Sequence, residues 1–205
     1  MNNHYYTENP DVAHAEHTWE FALLNHNIKF TTDNGVFSKQ TVDYGSRVMI
    51  EAFRENNAPS GKILDLGTGY GPVGISLALA YPDRTLDMVD VNNLALSLAE
   101  RNTQANGVAG RTNVFHSDVY ADVTDKYAAI LTNPPVRAGK DVVSMMISDA
   151  AQHLVPGGTL TVVLQKKQGA PSAKKLMEET FGNAEIIRKD KGYYILESTY
   201  TDTEK

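Results

Sequence analysis

Asp65-Leu-Gly-Thr-Gly-Tyr-Gly71 sets a carboxylate two residues ahead of three alternating glycines. A short apolar run precedes it and an apolar helical pattern follows, so the segment reads as strand, tight turn, helix. Glycines let a backbone turn sharply and lie against a ligand with no Cβ in the way. The helix behind turns its first N–H groups toward that ligand. Three later segments, each closing an apolar run, add polar groups: Asp90-Val91, Asp118-Val119 and Asn133-Pro134-Pro135. Ligands of open α/β sheets bind beyond the carboxyl ends of the strands, so these groups should meet at one site. There Asp90 can accept both hydroxyls of a ribose, Val91 can pack on a purine face, and Asp118 can accept from an adenine amino group. Any one acid reads equally well as a helix cap or a solvated loop residue. Three of them at strand ends beside a glycine turn form a pattern that chance seldom gives.

Asn133-Pro134-Pro135 has chemistry of its own. Its prolines fix φ and remove two N–H donors, which leaves carbonyls that only accept. The Asn133 amide oxygen and the Pro134 carbonyl can hold both hydrogens of one planar amino group and so aim the nitrogen lone pair. Fixed carbonyl dipoles stabilise the positive charge that develops on that nitrogen, and alignment supplies much of the remaining acceleration. Taken alone, Asn-Pro is as readily an ordinary turn after a strand. The glycine segment shifts the balance. Its Asp-x-Gly-x-Gly-x-Gly form resembles the first motif of class I S-adenosylmethionine (SAM) methyltransferases, and is less like a dinucleotide fingerprint. SAM has no pyrophosphate, and its ammonium calls for a carboxylate or carbonyls. The expected SAM contacts are therefore Asp65, Gly67, Thr68, Gly69, Gly71, Asp90, Val91, Asp118, Val119 and Asn133. A nicotinamide dinucleotide is the rival cofactor.

Four stretches carry a more specific resemblance: Gly35-Val-Phe-Ser, Asp65-Leu-Gly-Thr-Gly-Tyr-Gly, Asn133-Pro-Pro-Val-Arg-Ala-Gly-Lys140 and Gln165-Lys-Lys-Gln-Gly-Ala170. In this order, over about residues 17–200, they resemble the small-subunit ribosomal RNA guanine-N2 methyltransferase family (RsmC-like, the methyltransferase small domain). The resemblance implies a SAM-dependent fold, methylation of the exocyclic amine of guanine, and a catalytic loop of Asn133, Pro134 and Pro135. It also implies ribosomal RNA or the small ribosomal subunit as partner. Many amino-methylating relatives carry an aromatic after the second proline. This chain has Val136 there, so Phe37 is the candidate to stack on the target base. Larger members carry a second, degenerate methyltransferase-like domain at the N-terminus, for which 205 residues leave no room. Arg137, Lys140, Lys166 and Lys167 gather on the same loops and can take phosphates, although each alone reads as a solvated surface residue. Two other functions stay open: an amino methyltransferase acting on a protein glutamine or a small amine, and a SAM-fold protein that binds a partner without catalysis.

The elements that must position these residues alternate. Strands are expected at 63–66, 86–91, 113–116, 128–132 and 159–164, and helices at 73–80, 94–105 and 171–182. A further helix carries apolar residues at 143, 146, 147, 150 and 154, and Pro156-Gly157-Gly158 reads as a turn. Segments 184–188 and 193–199 flank Lys191-Gly192 as an antiparallel hairpin. Together they specify an α/β fold: a Rossmann-like, seven-stranded, mostly parallel sheet covered on both faces, ending in that hairpin. Residues 1–58 read as an N-terminal extension and 59–205 as the methyltransferase core. Within the extension we expect a loosely held arm over the first 16 residues, short strands around His26-Asn27, and a helix at about 42–56.

Composition narrows the setting. The chain has no cysteine, which excludes disulfides and thiol catalysis and fits a cytoplasmic enzyme. No apolar stretch is long enough for a membrane span, and no signal peptide is visible. His14 and His17 have a helical ligand spacing but no third ligand, so no metal site is expected. The net charge of −6 argues against a broad nucleic-acid grip, so any RNA contact must be a local basic patch. Nothing in the sequence speaks to oligomeric state.

Overall fold

The computed structural model describes residues 6–202. Strands β1 (His17–Leu23) and β2 (His26–Thr32) form a hairpin, followed by helix α1 (Tyr44–Ala52). Then β3 (Ile63–Leu66), α2 (Pro72–Ala80), β4 (Leu86–Asp90), α3 (Asn93–Ala105) and β5 (Thr112–His116) build one half of the sheet. The other half comes from β6 (Tyr127–Thr132), α4 (Lys140–Ser148), β7 (Leu154–Gln165), α5 (Ala170–Phe181), β8 (Glu185–Asp190) and β9 (Tyr193–Thr199). The seven strands lie in the order β5-β4-β3-β6-β7-β9-β8. β5, β4, β3, β6 and β7 pair in parallel, and β9 runs antiparallel to both β7 and β8. The chain switches direction of travel between β3 and β6, which opens a crevice at their carboxyl ends.

Continuous apolar strands are what a sheet covered on both faces requires. All six residues of β6 are buried, and alternate ones feed opposite layers. Ala129 and Leu131 join Ile63, Ile75 and Leu98 on the α1–α2–α3 side, while Ile130 joins Leu64, Ile147 and Met177 on the α4–α5 side. Ile28 and Phe30 of β2 and Met49 of α1 belong to the first layer, so the hairpin and first helix share an apolar core with the sheet.

The hairpin is fixed to the sheet by polar means as well. Asn102 of α3 accepts from Thr31 N at 2.8 Å and donates to Thr31 O at 3.0 Å. One turn later Asn106 repeats the pair on Lys29 N and O at 3.0 and 2.8 Å. Residues four apart face the same way on a helix, so two asparagines cover the outer edge of β2 that would otherwise be unpaired.

Five expectations need correction. The hairpin turn is Leu24-Asn25, both at positive φ (47° and 65°), so His26 and Asn27 lie inside β2 rather than between strands. Helix α1 starts later than expected because Asp43 caps it, its side chain accepting from Ser46 N at 3.0 Å. The apolar pattern at 143–154 spans three elements: α4 stops at Ser148, Ala150 lies in a 3-10 helix (Asp149–His153), and Leu154 already belongs to β7. Pro156-Gly157-Gly158 is a bulge within β7, whose pairing with β6 jumps from Tyr127↔Leu154 to Ala129↔Thr159. Of the arm expected to be loose over the first 16 residues, residues 1–5 lie outside the described residues, and from Tyr6 on it is held to the core by polar contacts.

Candidate active site

A cleft of about 750 Å³ opens at the carboxyl ends of β3, β4 and β6. Its floor is the turn after β3. Gly67, Gly69 and Gly71 all have positive φ (78°, 58° and 100°), a backbone that side chains resist. Gly67 N and Thr68 N both donate to Val89 O at 2.9 Å, which stitches the turn to the end of β4. A Cβ on Gly69 would meet nothing within 4 Å, so that position faces open space in the cleft wall. Gly71 is not part of the wall. It caps α2.

Two acids lie at this floor. Asp65 Oδ2 accepts from Thr68 Oγ1 at 2.6 Å and Gly74 N at 2.8 Å, holding the turn to the helix. Burial pushes its carboxyl up to about 6. Asp90 accepts from Gly69 N at 2.8 Å and Asn92 N at 2.9 Å, and burial raises it too. A carboxylate offers about four lone-pair sites, so Asp90 keeps capacity for ligand hydroxyls. Val91 and Val119 both line the cleft. Val119 is buried at φ 51°, a strained backbone for a β-branched residue. Ser117 holds it there by donating to Val119 O at 2.8 Å. Sequence reasoning missed Ser117, since nothing in its neighbourhood signals a strained loop. Asp118 lies outside the wall: it is exposed and accepts from the Tyr6 hydroxyl at 3.4 Å. Tyr6, from the arm expected to be loose, is a wall residue instead.

Asn133 and Pro134-Pro135 line the cleft beside this floor. Asn133 Nδ2 donates to Asp43 Oδ2 and to Ser46 Oγ, both at 2.9 Å. The Asp43 carboxylate only accepts, so the amide nitrogen must face it and the amide oxygen must face away. The orientation an amine-binding Asn needs is thus imposed from α1. Asp43 and Ser46 are candidate site residues that sequence reasoning missed. The signal present was a helix cap, Asp-x-x-Ser, which says nothing about a partner 90 residues away. Gly45 lies between them, and a Cβ there would fall 2.7 Å from the ring of Tyr193, another wall residue.

The mouth holds Phe37, 48% exposed, on a loop tied down by Asn92 Nδ2 donating to Gly35 O at 3.0 Å. Arg137, Gln165 and Gln168 also line it. Lys140 starts α4, and Lys166 and Lys167 follow β7. All three are exposed and outside the wall. His14 is bonded to Asp33 at 2.6 Å, and no group of three acidic or His residues suited to a metal occurs among the described residues.

Residues 27–197 match the methyltransferase small domain family. The chain belongs to that family. It is a class I SAM-dependent methyltransferase domain. The uncharacterized protein YbxB of Bacillus subtilis (strain 168) is 46% identical over 97% of this chain and 98% of its own length. The ribosomal RNA small subunit methyltransferase C of Vibrio parahaemolyticus is 34% identical over 78% of this chain and 46% of its own. Among solved structures, the T. thermophilus 16S rRNA N2 G1207 methyltransferase (RsmC) in complex with AdoMet and guanosine superposes with a TM-score of 0.82. That match has 26% identity and covers 93% of this chain and 52% of that one. The chain spans about half the length of these methyltransferase C relatives.

The residues present fit SAM on their own chemistry. Two carboxylates at the floor favour a cationic ligand and would repel the pyrophosphate of a dinucleotide. The open face at Gly69 admits a ligand against the backbone, and Val91 and Val119 provide apolar surface for a purine.

Proposed function

We propose that this domain transfers a methyl group to the exocyclic N2 amine of a guanine in small-subunit ribosomal RNA. One observation carries the reading: Asn133 lines the cleft, and Asp43 and Ser46 hold its amide nitrogen so that its oxygen is turned away from them. When bound, SAM supplies an electrophilic methyl group. Asn133 Oδ1 and the Pro134 carbonyl would accept the two amine hydrogens and direct the lone pair, and their dipoles would stabilise positive charge on the nitrogen. The extra proton then leaves to solvent, for which no strong base is needed. Phe37 would stack on the base, and Arg137, with Lys140 and Lys167 further out, would hold flanking phosphates. Asp65, Gly67, Thr68, Gly69, Asp90, Val91 and Val119 would contact the cofactor. The names of the methyltransferase C relatives and of the guanosine complex support guanine in ribosomal RNA as the target.

The test is tritium transfer from labelled SAM to total RNA and total protein, followed by nucleoside analysis. Label in N2-methylguanosine of small-subunit RNA is the expected result. Label in protein glutamine or small molecules would replace the RNA target. No transfer at all would leave a binding protein.

A further inference from the structure

We infer that the N-terminal arm is a strap over the nucleoside end of the cofactor cleft, and that Tyr6 is a cofactor-binding residue. The inference rests on the SAM reading of that cleft. Tyr6 lines the cleft, and its hydroxyl donates to Asp118, directly before the wall residue Val119. Glu8 O accepts from Asn93 N at 2.9 Å, and Asn9 Oδ1 accepts from Asn93 Nδ2 at 3.1 Å. Both contacts fall on the start of α3, three residues beyond Asp90. Through Tyr6 after β5, and Glu8 and Asn9 after β4, the arm therefore bridges the two strand ends that supply the expected purine and ribose contacts. Its ring adds an aromatic face where Val91 and Val119 are aliphatic, and purines stack well on aromatic rings.

The arm differs in kind from the rest of the wall. The floor is made of strand ends sealed into two apolar layers. From Tyr6 to Glu16 the arm is held by polar contacts of half-buried or exposed residues. Ala13 O accepts from Asn34 Nδ2 at 2.7 Å, Ala15 N donates to Asp33 at 2.6 Å, and Glu16 pairs with Arg101 at 2.7 Å. Asp33 is buried, so it anchors the arm at His14 and Ala15. The side-chain contacts of Tyr6 and Asn9 are exposed and exchange readily with water, so that end can lift while the floor stays rigid. Pro10 and Val12 also press on Gly35, where a Cβ would fall 3.2 and 3.0 Å from them. The strap thereby leans on the loop that presents Phe37. A ligand that holds the strap down also steadies the mouth where the target base would enter, and the coupling is reciprocal.

The experiment measures S-adenosylhomocysteine binding to the full chain by calorimetry and stopped-flow dissociation, in wild type, Tyr6→Ala and Tyr6→Phe. Tyr6→Ala should raise Kd about tenfold, mostly through faster dissociation, while Tyr6→Phe keeps the ring and stays within about threefold. Hydrogen exchange gives an independent readout: the Asn93 amide, which donates to Glu8, should be protected by ligand in wild type and much less in Tyr6→Ala. Wild-type binding with unchanged affinity, off-rate and Asn93 exchange in Tyr6→Ala would overturn the strap. Failure of the wild type to bind S-adenosylhomocysteine would instead remove the cofactor reading beneath it.

Discussion

The amide of Asn133 has its nitrogen occupied by Asp43 and Ser46, so one side chain can be deprived of its group or merely of its orientation. Asn133→Ala should leave S-adenosylhomocysteine affinity nearly unchanged and lower kcat by about two orders of magnitude, the scale of losing a preorganised polar contact. Asp43→Ala should lower kcat by about tenfold or more with little change in KM, because a freed amide can turn its nitrogen to the amine. It should also cost about 1 kcal/mol of stability as a lost helix cap. Steady-state kinetics beside urea unfolding separates the two effects, and a stability loss with unchanged kcat would reduce Asp43 to a cap. Asp65 allows a second test. Its carboxyl sits at about 6 when folded, so the folded state binds the proton more tightly than the unfolded chain. That stabilisation is complete below the ordinary value of 3.8 and is lost as pH rises through about 6. Asp65→Asn can still accept from Thr68 and Gly74 but cannot ionise. Between about pH 4 and about pH 7.5 its stability should gain on wild type by on the order of 3 kcal/mol, while S-adenosylhomocysteine affinity falls. Urea midpoints with the same pH slope in both proteins would show that Asp65 does not titrate this way.

The elements show where periodicity stops being enough. The run at 143–154 has helical spacing, yet it passes from α4 through a 3-10 turn into β7, where Leu154 finds a strand partner in Tyr127. The Pro156-Gly157-Gly158 bulge survives inside β7 because Gly157 N donates to Tyr200 O and Tyr200 N to Gly158 O, both at 2.8 Å. Local turn chemistry is overridden by pairing with distant strands. The seal between α3 and β2 has the same long-range character, and it predicts unequal costs. Asn102 is buried and also donates to Tyr70 O at 2.9 Å, so Asn102→Ala strands three polar partners and should cost about 2–3 kcal/mol. Asn106 lies in a more exposed stretch, where water can replace it, so Asn106→Ala should cost less than about 1 kcal/mol. Urea midpoints for the two variants check this, and equal losses would mean the edge is held by packing rather than by these amides.

For the whole molecule, the proposed RNA target would require an acidic chain to approach a polyanion. A net charge of −6 leaves only local basic groups, and the structure puts Arg137 in the cleft wall, with Lys140 exposed at the start of α4 and Lys167 exposed after β7. If these meet phosphates, each alanine variant should weaken RNA binding and reduce the slope of log K against log salt by about one. Lys175→Ala, on α5 in an ion pair with Glu179, is the control that should leave the slope alone. Filter binding at several salt concentrations decides, and slopes that do not change would move the RNA contact elsewhere on the surface.

The sequence by itself determined the strand–turn–helix at Asp65–Gly71, the alternation that makes the sheet mostly parallel, and the candidate amine-binding loop at Asn133. Each is written in neighbouring residues: glycine spacing, apolar period, proline chemistry. It also named the part of the cleft wall that lies at the strand ends, because strand ends are legible once strands are. Only the tertiary structure decided that Asp43 and Ser46 orient Asn133, that Asp118 meets Tyr6, and that the arm brings Tyr6 into the cleft wall. These contacts join positions about 90 to 112 apart in the chain. No local pattern encodes such a meeting. It follows from the order in which strands pair and from which helix start then faces which strand end.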